Sequence, residues 1–270
     1  MKLAIRPTFM YNLALRMPRR FRFVISSVSL TILLILATFI DFAQVGYVLP
    51  ALLIAVYFFT WFAILEGINK TELLVLFIMP IFFTLFAYFF YFLFPVRWLT
   101  RLPLIVIYGS SIYAILLTSN IFNVGVEKNI QLYRAAFSVN YLYQTFVVFL
   151  GTEVLMSFRL PFYLMALSIF FILYPLALQL LWSVRPQPHL EKTVLFRAFI
   201  LAILVVQISI PYMFLPLRTT MFSLLVTASY YCLGGLLYHA LDNKLFKQTI
   251  REYVFVMVFV FVIILLTIPW

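Results

Sequence analysis

The chain has 270 residues, of which 66% are hydrophobic and only 10% charged, with a net charge of +11. So few charges cannot cover the surface of a water-soluble protein of this length, so the solvent is lipid. Nucleic-acid binding is excluded as well, because the cations have no soluble stretch long enough to fold into a basic surface.

Residues 1–22, MKLAIRPTFMYNLALRMPRRFR, read as a basic cytoplasmic N-terminal arm. The basic region is too long for a signal peptide, and no small-residue cleavage site follows the first apolar run, so the arm is expected to be retained. Residues 23–270 read as a single transmembrane helical domain. Apolar runs of about the length of one bilayer crossing recur at 23–40, 47–65, 72–94, 102–122, 137–158, 162–183, 195–215, 219–239 and 252–269. Unbroken runs such as TELLVLFIMPIFFTLFAYFFYFLF exclude the short alternating strands of a membrane barrel. The predicted fold is all-α: a polytopic bundle of about nine spans, with the first and last as the weakest.

Lys and Arg set the orientation. With the N-terminus cytoplasmic, 15 of the 19 basic residues fall on the inner face, and only Arg97, Arg101, Arg159 and Arg218 fall on the outer one. Such a bias marks the cytoplasmic side.

Two spans are more polar than the rest, YGSSIYAILLTSN at 108–120 and TTMFSLLVTASYYCLGGLLYH at 219–239, and are predicted to lie inside the bundle. Small residues, Gly109, Ser110, Ser111, Gly234 and Gly235, would allow close helix approach there, with their hydroxyls bonding across the interface. Pro80, Pro175 and Pro211 are candidate bends, and Gln179, Gln207 and Ser209 candidate lining for a small-solute cavity. The arginine–proline runs TRLP, FRLP and LPLR predict three tight outer hairpins, whose arginines suit anionic headgroups.

Within FLGTEVLMSFRLP, at 149–161, Glu153 is a carboxylate inside an apolar span. Charge at that position is costly, which makes it a candidate site for a proton, a cation or a cationic headgroup, or one half of a structural ion pair. The candidate polar site is Glu153 with Ser157 one turn on and the outer arginines Arg97, Arg101, Arg159 and Arg218. No metal cluster is predicted, because Cys232 is the only cysteine and the two histidines, His189 and His239, lack partners at ligand spacing. HALDN at 239–243 is similar to one motif of membrane-embedded proteases of the prenyl-processing type, but their paired glutamates and second intramembrane histidine are missing. No phosphate-binding glycine loop occurs either.

The run NIFNV, a short polar stretch and LYRAAFSV, followed by SFRLPFYL and LQLLWSV, resembles an uncharacterised multi-pass membrane family of candidate-phyla bacteria. The likeness covers about the middle third of the chain. It implies bacterial origin and residence in the inner (plasma) membrane, and it supplies no functional residue, since that family has no assigned activity.

The sequence therefore predicts a membrane protein that binds or moves a lipid or small solute, with membrane lipids as partners, room for a membrane-protein partner, no nucleic acid and no cofactor. The alternatives are a membrane-embedded enzyme acting on a lipid-linked substrate, or a structural subunit. An enzyme is disfavoured, because only one buried carboxylate is evident where convergent catalytic groups are needed.

Overall fold

Backbone amides in hydrocarbon must be satisfied within their own segment, and the computed structural model of the chain meets that demand with helices. It describes residues 17–65, 70–93, 98–124, 130–187 and 189–267, and among them there are nine α-helices and no strand. In chain order they are α1 (Arg19–Thr38), α2 (Val45–Ile64), α3 (Lys70–Tyr91), α4 (Trp98–Val124), α5 (Ile130–Ser157), α6 (Phe162–Trp182), α7 (Lys192–Ser209), α8 (Thr219–Leu241) and α9 (Lys247–Thr267). Short 3₁₀ turns, Phe42–Gln44 and Ile210–Phe214, precede α2 and follow α7.

Eight of the nine helices are long and apolar enough to cross a membrane, the first and last among them. The one that falls short is α5, which spans 28 residues but carries Asn140, Gln144 and Glu153 in its interior. The expected weakness at the two ends of the chain is thus not where polarity is concentrated. The chain is a helical integral membrane protein.

Other expectations shift in detail. Helix α1 starts at Arg19, so Arg22 belongs to the helix and is buried rather than lying in an arm. Pro80 and Pro175 lie within continuous helices, whereas Pro211 sits in the 3₁₀ turn that ends α7. FRLP and LPLR fall at links, but TRLP lies inside α4, which has already begun at Trp98. HALDN is the stop signal of α8: Asn243 takes a left-handed φ of 55°, and Lys244 N–H bonds to the His239 carbonyl at 2.9 Å. That pattern is a Schellman cap, to which asparagine is suited.

The described residues form two compact units, divided between Tyr143 and Gln144, within α5. In the first unit α1, α2, α3 and α4 all touch one another. Ser26 Oγ donates to the Phe59 carbonyl at 3.1 Å between α1 and α2, and Thr84 Oγ1 and Tyr108 OH lie 2.8 Å apart between α3 and α4. Tyr108 also stacks on Phe83, and Gly109 lets Thr31 approach so closely that a Cβ would meet Oγ1 at 3.0 Å. Ser110, by contrast, bonds back to its own helix at Val106 and is exposed. The stretch 108–120 lies inside the unit as expected, with only Ser110 and Leu117 exposed, although the more apolar α3 buries 61% of its membrane window against 39% for α4. Lipid is as apolar as a core, so packing shape rather than hydropathy decides which helix goes inside.

In the second unit α8 touches α6, α7 and α9, and α6 touches α7. The polar composition of α8 does mark an inner helix here, with 56% of its window buried. Its Leu225 and Ala228 pack on Val260 and Ile264 of α9. Only 11% of the α9 window is buried, leaving most of that helix to lipid.

Candidate functional site

Helix α5 carries Glu153 one turn before its C-terminal residue, Ser157. The side chain is 7% exposed, and its Oε1 has no hydrogen-bond partner. Ser157 is exposed and its hydroxyl donates to the Val154 carbonyl at 2.6 Å, which satisfies the hydroxyl within its own turn. Arg159 is exposed in the α5–α6 link with a left-handed φ of 50°, and Arg218 is exposed as the N-cap of α8. Among the described residues no ion pair involves Glu153. Arg97 lies outside the described residues, and of Arg101 the structure gives the backbone position, in the first turn of α4.

Sequence reasoning missed a second group of polar side chains in the same unit. Gln144 of α5 donates from Nε2 to Gln179 Oε1 of α6 at 3.3 Å, and its own Oε1 accepts from Tyr230 OH of α8 at 3.1 Å. All three side chains are completely buried, as is Ser223 of α8. Gln179 is therefore bonded within the unit, and Gln207, its expected companion at a cavity, is exposed. Residues 35 and 86 positions apart leave no local signal of such a network. Hydrogen bonds of this kind between membrane helices are worth about 1 kcal/mol each, so their first effect is to register α5, α6 and α8.

The network is incomplete. Gln179 Nε2 and Ser223 Oγ have no partner, so with Glu153 Oε1 the unit buries an amide donor, a hydroxyl and a carboxylate acceptor without hydrogen bonds. Proteins rarely leave such atoms unpaired, and a water, an ion or a ligand is the usual remedy. A carboxyl group here can accept a hydrogen bond, hold a cation or take up a proton; an amide and a hydroxyl can orient a polar solute. Among the described residues no group of three histidine, cysteine or carboxylate side chains is placed to hold a metal.

No family model matches the chain, and neither the curated proteins nor the solved structures contain a match to it.

Proposed function

We propose that this membrane protein binds a lipid or small solute within the bilayer, with Glu153 as the acceptor that meets the ligand's proton or cationic group. The observation that carries the reading is the carboxylate oxygen of Glu153, more than nine-tenths buried and without a partner. An ionised group in a membrane helix costs about 2.5–3.5 kcal/mol even on insertion scales, and a purely structural role would ordinarily supply a counter-charge. Arg159, Arg218, Arg97 and Arg101 are proposed to gather anionic headgroups at the outer face, and Ser157 to border the entry to Glu153. The resemblance of the middle third to a bacterial multi-pass family supports residence in a bacterial inner membrane, and the 15-to-4 partition of basic residues supports a cytoplasmic N-terminus.

Native mass spectrometry of the chain released from mild detergent tests this. The wild type is expected to retain a lipid or small molecule, and Glu153→Gln to lose at least about tenfold of that occupancy, roughly 1.4 kcal/mol of binding. A wild type that emerges bare, or a variant that retains the same adduct equally, overturns the proposal.

A further inference from the structure

At the end of the second unit where α6 stops, the link to α7 folds into a cavity of about 130 Å³, roughly ten times what a single water needs. Its wall is preorganised. Trp182 is buried and its Nε1 donates to the Gln187 carbonyl at 3.1 Å, tying the link back onto α6. Arg185, from the link, and Arg197, from the second turn of α7, both line the cavity together with His189 and Glu191. Glu191 already accepts from Thr193 Oγ1 at 3.0 Å, and among the described residues neither arginine is paired with a carboxylate. Two guanidinium groups against one carboxylate leave the cavity with a surplus of positive charge and of planar donors suited to phosphate. The N-terminus of α7, at Lys192, adds the positive end of its dipole.

A second cavity, of about 320 Å³ and apolar, lies along the same two helices, α7 and α8. Helix spacing makes them successive: Arg197 lines the first, and Leu201 and Leu204, one and two turns further on α7, line the second. On α8, Leu241 lines the first while Leu237 and Leu233, one and two turns back, line the second. A cationic pocket one helical turn from an apolar trough suits an amphiphile.

We propose that this constellation is a binding site for an anionic phospholipid, its phosphate held by Arg185 and Arg197 and one acyl chain laid along the α7–α8 trough. The site stands on residues separate from Glu153 and does not rest on the function proposed for that carboxylate. With the N-terminus cytoplasmic, it lies in the inner leaflet, where anionic lipids meet basic protein segments.

Trp182 supplies a local reporter. A full-length form with Trp61, Trp98 and Trp270 replaced by Phe is reconstituted in phosphatidylcholine vesicles containing phosphatidylglycerol, with one of the two lipids brominated on its acyl chains. Brominated phosphatidylglycerol is expected to quench Trp182 at least threefold more effectively than brominated phosphatidylcholine at equal mole fraction. Arg185→Gln with Arg197→Gln should bring the two lipids to equality, whereas Lys at both positions should keep a preference. Ala240→Phe, which fills the exposed trough and leaves both arginines intact, should weaken quenching by the anionic lipid. Equal quenching by the two lipids in the parent form, or a preference that survives the double Gln change, overturns the proposal. So does a preference abolished by millimolar glycerol phosphate, since a free phosphate would then occupy the pocket without the trough.

Discussion

Glu153 lies about 6 Å along the α5 axis from Ser157 at 1.5 Å per residue, and its side chain is buried. Its chemistry separates two roles by magnitude. Breaking a buried ion pair costs about 3–5 kcal/mol, whereas replacing an unpaired carboxyl by its neutral isostere costs little. Glu153→Gln is thus expected to leave the thermal unfolding midpoint unchanged or slightly raised. The one cysteine, Cys232, is buried in α8 of the same unit and can report unfolding through a thiol-reactive dye. A loss equivalent to 3 kcal/mol or more would show that the carboxylate is half of a structural pair. Arg159 offers a companion test, because its left-handed backbone stores about 1–2 kcal/mol that glycine would relieve. Glycine gives back about 0.5–1 kcal/mol through the unfolded chain, so Arg159→Gly should be neutral to about 1 kcal/mol stabilising in the same dye assay. A marked loss would mean that the guanidinium makes a contact the fold depends on. The sequence showed Glu153 because an acid in an apolar run stands out, but it could not show whether an arginine reached it, which depends on side-chain reach across links.

Helices α8 and α9 meet at Gly235, where an added Cβ would clash with the Tyr253 ring. The ring is held between Tyr231 and His239, so it has little freedom to withdraw. Gly235→Ala is expected to cost about 1–3 kcal/mol by overpacking, and Tyr253→Ala to remove that penalty in a double-mutant cycle read by thermal unfolding; a strictly additive cycle contradicts the contact. The Gln144 network has its own test. Tyr230→Phe deletes one bond to Gln144 and should cost about 1 kcal/mol; Gln179→Leu strands the buried Gln144 amide and should cost about 1–3 kcal/mol. No change in either variant would remove the network as the device that registers α5, α6 and α8. The helices themselves were legible to within seven residues at either end because lipid permits little else, and of the five small residues expected at contacts Gly109 and Gly235 are close-approach points. The burial of the apolar α3 was not legible. Aromatic shape, not polarity, buries α3, while the arginines of the α6–α7 cavity stand 12 residues apart in what reads as an ordinary loop-and-helix boundary.

For the molecule as a whole the decisive element is α5, which carries Glu153, Gln144 and Asn140 and is the one described helix whose composition falls short of a membrane span. Its length of 28 residues exceeds the ~20 that a crossing requires, and its polar side chains are buried by protein rather than turned to lipid, as membrane helices with polar content require. The proposed account therefore has α5 crossing, nine spans in all, the N-terminus inside and the arginines of the α5–α6 link outside. Single cysteines placed at Lys128 and Arg159 in a Cys232→Ala background, treated in intact cells with a membrane-impermeant maleimide, measure this directly. Labelling at 159 without permeabilisation and at 128 only after it is the predicted result; labelling of both from the same side would place Glu153 outside the bilayer interior and contradict the account.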